Sequence, residues 1–73
     1  GTALSSLRMP ALVLNGEFDV QSRRDAGTAL ARALPHAQQV SVPRAGHLAN
    51  LDNPHDYNIA VLEFLTRHAA LLQ

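Results

Sequence analysis

The 73-residue sequence contains no cysteine and no lysine, and its six arginines balance six acidic residues. The absence of cysteine excludes a disulfide, although a chain this short buries only about 60% of its unfolded surface on folding. Zero net charge without a basic run argues against nucleic acid as the main partner. The four histidines have no thiol beside them and no i, i+4 pairing, so the sequence predicts neither a metal site nor another cofactor.

Long apolar runs are also missing from the sequence. No stretch approaches the ~18 residues that a membrane-spanning helix needs, and residues 1–6 lack the basic and apolar regions of a secretory signal. The sequence therefore predicts a cytoplasmic segment of the α/β class with no membrane partner. Its length allows one domain at most, so residues 1–73 are interpreted as a single segment.

Two short apolar runs have the length and composition of buried strands. Residues 11–15 read Ala-Leu-Val-Leu-Asn, a continuous run that is typical of a strand buried on both faces. Residues 38–42 alternate, with Val40 and Val42 on one face, and Pro43 stops the pattern. Both runs are therefore predicted to be strands.

The residues between these strands have the pattern of an amphipathic helix over 23–34, which a proline ends. Ser22 and Asp25 have the S-x-x-D spacing of a capping box, and Arg23 and Arg24 are predicted to form a solvated face. Gly27 is interpreted as allowing close packing on the sheet. The apolar stripe of this helix comprises Ala26, Ala29, Leu30, Ala33 and Leu34.

A second helix is predicted over 54–67, with Asn53 as its N-cap and Pro54 at its first position. Its apolar stripe comprises Tyr57, Ala60, Val61, Phe64 and Leu65. The order is then strand, helix, strand, helix. A connection of this length between two strands predicts that they are adjacent and parallel, with a right-handed crossover.

One carboxylate and one histidine follow the two predicted strands. Asp19 lies four residues beyond the first strand and His47 lies five beyond the second. Ligands bind beyond the carboxyl ends of parallel strands, so we expect the two side chains to meet there. A carboxylate oxygen of Asp19 should lie about 2.6–3.2 Å from the δ nitrogen of His47, or somewhat farther when no substrate is bound. The carboxylate would fix the tautomer of His47 through its δ nitrogen and leave the ε nitrogen free as a base.

Each of these residues also has a simpler interpretation. Asp19 could be an ordinary turn residue, because aspartate is common in turns, and His47 could be a polar loop residue. Glu17 is an alternative acid, although it falls earlier in the turn. Asp52 is interpreted as a helix-start residue that the helix dipole favours. Leu48 would either line a substrate pocket or pack under the loop.

The stretches Pro-Ala-Leu-Val-Leu-Asn-Gly-Glu-Phe-Asp over 10–19, Ala-Gly-His over 45–47 and Asp-Asn-Pro over 52–54 together resemble the C-terminal segment of the α/β-hydrolase superfamily. The resemblance runs from about Pro10 to Arg67. In that family the triad acid follows a late strand, and the histidine follows the next strand in a Gly-His turn. The resemblance implies that Asp19 is the acid and His47 the base, in the family's order. The family usually has glutamate where Asp52 stands.

The nucleophile of that family occupies a G-x-S-x-G turn, and no such motif occurs in this sequence. The resemblance therefore implies the last two strand–helix units of a larger hydrolase, with a serine or aspartate nucleophile outside this chain. Its substrate would be a small ester, lactone or related carbonyl compound. Alternatively, the chain is a truncated or degenerate fragment without catalysis. Exposed sheet edges and apolar helix faces would then require the missing N-terminal portion, a partner chain or self-association.

Overall fold

The computed structural model describes residues 6–69, over which the chain forms two parallel strands and three helices. The elements in chain order are β1 (Ala11–Gly16), α1 (Gln21–Ala33), β2 (Ala37–Val42), α2 (Ala49–Asp52) and α3 (Pro54–Arg67). Ala11 lies opposite Ala37, and Gly16 lies opposite Val42. The predicted α/β architecture with adjacent parallel strands is confirmed, and each strand is one residue longer than predicted.

The two long helices lie on opposite faces of the sheet. On one face, the Gln39 side chain of β2 donates a hydrogen bond to the Thr28 hydroxyl of α1, at 2.9 Å. On the other face, Tyr57 of α3 and Leu14 of β1 pack against a small cluster of buried apolar side chains formed by Val42, Ala45 and Ala49. Side chains alternate between the faces of a strand, so each strand contributes to both contacts.

The N-terminus of α1 differs from the prediction. The helix begins at Gln21, and its N-cap is Val20, whose side chain makes no capping hydrogen bond. The capping-box interpretation is therefore wrong, because Ser22 already lies inside the helix. The cause is the preceding turn, in which a carboxylate oxygen of Asp19 accepts from the backbone N–H of Val20 at 2.8 Å and fixes the point where the chain enters the helix.

Only the C-terminal end of the predicted apolar stripe of α1, Ala33 and Leu34, is half-buried. Gly27 is the buried residue of this helix, and a Cβ atom at that position would lie 2.1 Å from the side-chain oxygen of Asn15. The helix thus packs closely through a position without a side chain, as predicted for Gly27. Within the stripe, Ala26, Ala29 and Leu30 are exposed, so this apolar surface faces outward.

The second long helix follows the prediction. Asn53 caps α3 by accepting from the N–H of Asp56, and Pro54 occupies the first turn. The one-turn helix α2, which directly precedes this cap, was not predicted, because four residues are too few to show a helical period. Over residues 6–69, no helix combines the length and the apolar character needed to cross a membrane.

Candidate active site

Direct backbone contact joins the loop after β1 to the loop after β2. The N–H of Glu17 donates to the carbonyl of Val42, and the N–H of Phe18 donates to the carbonyl of Ala45, both at 2.8 Å. A Cβ atom on Gly16 would lie 2.1 Å from the carbonyl oxygen of Gly46. The φ angle of Gly16 is not positive, so its backbone conformation does not require glycine. Glycine is needed here because the two backbones approach too closely for a side chain.

We expect Gly16→Ala to lower the free energy of unfolding of the full-length protein by roughly 1–3 kcal/mol, the usual range for overpacking. The added methyl group would meet backbone atoms, which cannot rotate away. Denaturant titration measures the change. Gly46→Ala is the matched control, because its Cβ would lie 3.3 Å from a side-chain oxygen of Asp52 and the effect should be smaller. Equal losses in the two variants would contradict this account.

This junction brings Asp19 and His47 together at the carboxyl ends of the strands. The distance from Asp19 Oδ2 to His47 Nδ1 is 3.6 Å, which exceeds the 2.6–3.2 Å expected for a hydrogen bond. The Asp19 side chain is only 5% exposed, whereas that of His47 is 59% exposed. The carboxylate is thus held in the protein, and the imidazole projects beyond it.

Arg23 contacts the other side of the imidazole. Its NH1 atom lies 3.4 Å from His47 Nε2, and its Nε atom lies 3.9 Å from Asp19 Oδ1. A guanidinium can only donate, so this contact is a hydrogen bond only in the tautomer in which Nε2 accepts and Nδ1 carries the proton. In that tautomer the proton faces Asp19, as a histidine base requires.

Arg23 is exposed, as predicted for a solvated helix face, with 55% of its side chain accessible, but its guanidinium also turns back to the carboxylate and the imidazole. Arg24, which was predicted to share that face, is half-buried. The sequence held one signal for this contact. Asp19 and Arg23 are four residues apart, a spacing at which oppositely charged side chains meet on one side of a helical turn.

Asp52 has a role in addition to the predicted one. It lies in the first turn of the one-turn helix α2 and directly before the N-cap of α3, and its Oδ2 atom also accepts from the N–H of Gly46 at 2.9 Å. This bond closes the turn that contains His47. Asp52 therefore positions the histidine through the backbone, which helix-dipole reasoning did not indicate.

The alternative acid, Glu17, is engaged elsewhere. Its Oε1 atom accepts from the N–H of Arg44 at 3.0 Å, and Arg44 has a left-handed backbone with φ of 55°. The Asn53 side chain donates to the carbonyl of Pro43 in the same turn, at 2.7 Å. Glu17 and Asn53 thus support the turn after β2. Leu48, for which two roles were open, is mostly exposed and is absent from the walls of the cavity beside His47.

An open cavity of about 400 Å³ lies beside the Asp19–His47 pair. This volume is within the range of small-molecule sites, about 300–1,000 Å³. Both apolar and polar side chains line the cavity, so it can contact the carbon chain as well as the polar groups of a small ligand. The walls are formed by Leu14, Asn15, Gly16, Asp19, Arg23, Ala26, His47, Ala49, Asn50 and Tyr57. In the part of the chain that the structure describes, no three His, Cys, Asp or Glu side chains are grouped closely enough to hold a metal ion.

Comparison with known proteins relates the chain to two kinds of enzyme. It is 37% identical over 67 residues to 2-hydroxy-6-oxononadienedioate/2-hydroxy-6-oxononatrienedioate hydrolase of Burkholderia vietnamiensis. These 67 residues are 92% of this chain and 23% of the relative. A hydrolase of the same name from Dechloromonas aromatica is 36% identical over 66 residues, or 90% of this chain and 23% of the relative. The protein of Mycobacterium tuberculosis named as the non-heme bromoperoxidase BpoC is 34% identical over 62 residues, which are 85% of this chain and 24% of the relative.

The chain thus spans about a quarter of the length of these relatives. No family profile and no solved structure matches it. The hydrolases and the bromoperoxidase belong to the α/β-hydrolase superfamily. Their similarity to this chain, together with the parallel strand–helix–strand unit and its final helix, places the chain in the α/β-hydrolase superfamily.

Proposed function

We propose that this chain supplies the acid and the histidine base of a serine-type hydrolase, as the C-terminal segment of a longer protein. The single observation that supports this most strongly is the pairing of buried Asp19 with exposed His47, 3.6 Å apart, in the wall of a cavity. The tautomer implied by the contact of Arg23 with Nε2 supports the same assignment, because Nδ1 then presents its proton to the carboxylate.

In this reaction, Nε2 of His47 takes the proton of the nucleophile as it attacks the carbonyl carbon of the substrate. The imidazolium that forms is stabilised by the negative charge of Asp19, which also holds the ring in its orientation. The same proton then passes to the leaving group. The nucleophile and the oxyanion donors would come from the remainder of the protein, because the relatives are about four times longer than this chain.

The proposed substrate is a small ester, lactone or related carbonyl compound. Two of the relatives are named as hydrolases of oxo-dicarboxylates, and their names support a carbonyl substrate that carries acid groups. A cavity with both apolar walls and charged side chains is compatible with such a molecule.

The alternative function is association without catalysis. Exposed apolar surface, which includes Leu30 of α1 at 42% and Leu62 of α3 at 61% exposed, favours contact with further protein. That surface would be covered either by the remainder of a hydrolase domain or by a partner chain. A segment that serves only for association does not require Asp19 and His47 to be paired, so the two functions differ in their dependence on His47.

Labelling of the full-length protein with a fluorophosphonate, which reacts with activated serines, separates these functions. We expect a covalent adduct on a serine outside residues 1–73, located by peptide mass spectrometry. Its rate of formation should fall sharply in His47→Gln, because the base is lost. His36→Gln is the matched control, since His36 is exposed and distant from Asp19 in sequence. Labelling that is absent, or independent of His47, would contradict the proposed reaction.

A further inference from the structure

We propose that Arg23 selects substrates that carry a carboxylate group, and that binding of this group frees the base nitrogen of His47. This inference rests on the proposed hydrolase function and adds to it a substrate charge and a specificity-determining residue. Arg23 is the one arginine among the residues that form the cavity wall, and it stands beside the paired Asp19 and His47.

The first step of the argument concerns the lone pair of His47 Nε2. A base takes up its proton through this lone pair, and here it faces the NH1 atom of Arg23 at 3.4 Å. A hydroxyl group of a nucleophile needs the same position. The guanidinium must therefore turn away from Nε2 before His47 can act as a base.

The second step concerns the groups that could hold the guanidinium after it turns. Over residues 6–69, its one ion-pair contact is with Asp19 Oδ1, at the long distance of 3.9 Å. That oxygen already accepts from the N–H of Val20 at 2.8 Å, and the other oxygen faces His47. The residues that the structure describes thus offer Arg23 no free carboxylate, and most of its five N–H donors have no acceptor among them.

The third step concerns the ligand that completes this arrangement. A planar guanidinium binds a carboxylate through two parallel hydrogen bonds, which makes arginine well suited to this group. The side chain is 55% exposed and lies at the wall of a cavity of about 400 Å³, so a ligand can reach it. A substrate carboxylate would hold the guanidinium and leave Nε2 to the nucleophile. A neutral substrate would leave the contact with Nε2 in place.

The test compares two esters in the full-length protein. 4-Nitrophenyl hydrogen adipate carries a carboxylate, and in 4-nitrophenyl 6-methylheptanoate an isopropyl group replaces it. We expect kcat/KM to be higher for the adipate ester than for the neutral ester. The ratio of these two kcat/KM values should fall roughly 10- to 100-fold in Arg23→Met, as for the loss of a hydrogen bond to a charged group. Arg23→Lys should restore the ratio in part, because it keeps the charge without the planar fork. Arg32→Met, on an exposed part of the same helix, is the control and should leave the ratio unchanged.

Two further measurements separate failure of this inference from failure of the proposed function. Hydrolysis that depends on His47, with a ratio unchanged in Arg23→Met, would overturn the role of Arg23 and leave the hydrolase function intact. Hydrolysis that survives His47→Gln would overturn the function itself. Calorimetric titration with adipate tests binding without turnover. Wild-type protein and His47→Gln should bind adipate, and Arg23→Met should bind it at least tenfold more weakly, or the proposed carboxylate site is wrong.

Discussion

If the proposed function holds, replacing His47 with alanine in the full-length protein should reduce kcat for an activated ester by at least about ten-thousand-fold, as the loss of the triad histidine does in serine hydrolases. Asp19→Asn should reduce kcat by about ten-thousand-fold, because an amide that donates to Nδ1 stabilises the wrong tautomer. Asparagine has nearly the shape of aspartate, so the fold should be preserved. Steady-state kinetics with a nitrophenyl ester measures both losses, and circular dichroism reports on the fold.

Glu17→Gln provides the matched control for the acid. Its carboxylate accepts from the backbone of Arg44, on the turn after β2, and an amide oxygen can accept the same bond. We expect turnover to remain close to that of the wild type. If Asp19→Asn retained near-normal turnover and Glu17→Gln abolished it, Glu17 would be the acid and the interpretation of the turn would be wrong.

The isolated 73-residue chain should not hydrolyse a nitrophenyl ester above the rate of free imidazole at the same concentration. It carries the proposed acid and base but lacks the proposed nucleophile and oxyanion donors. A single oxyanion donor contributes about 100- to 1,000-fold in kcat, and the nucleophile contributes more. Ester hydrolysis followed at increasing substrate concentration measures this difference.

The same isolated chain should bind a fluorescent dye for apolar surfaces, or sediment as an oligomer, because large apolar side chains such as Phe18, Leu51 and Leu62 are more than 60% exposed. The chain with Leu30→Lys is a useful comparison, since it replaces an exposed apolar side chain with a charged one and should bind less dye. A saturable hydrolysis rate that disappears in His47→Ala would show that the nucleophile lies within this chain. A monomer with a sharp thermal transition and no dye binding would contradict the expected exposure.

The topology was predictable because its signals are local. An apolar run predicts β1, and the Asn53–Pro54 pair marks the start of α3, where the observed cap bond forms. The start of α1 was not predictable in the same way. Ser22 has a good local capping pattern, but the carboxylate of Asp19 binds the N–H of Val20 and starts the helix earlier. One local interaction, the bond from the Val20 N–H to Asp19, thus prevails over the capping pattern of Ser22.

The site was predictable only to the extent that backbone topology determines it. Parallel strands bring the loops of Asp19 and His47 to one edge, and this rule requires no knowledge of side-chain conformation. The contact of Arg23 with His47 depends on side-chain rotamers. The contact of Asp52 with Gly46 depends on the one-turn helix α2, for which the sequence has no periodic signal. The close approach of Gly27 to the sheet was predictable, but the exposure of Ala26, Ala29 and Leu30 was not, because an amphipathic pattern ranks positions by their apolar side chains and glycine has none.

Because Gly16 lies against the backbone of residues 45 and 46, the loops that carry Asp19 and His47 form one mechanical unit. We expect a displacement of one loop to move the other, so that the separation of Asp19 and His47 varies less than the distance from either to a more remote group. In a longer protein, a nucleophile could shift relative to this unit without disturbing the pair. New substrates could then be accommodated by changes in the surrounding elements, while Asp19 and His47 remain paired.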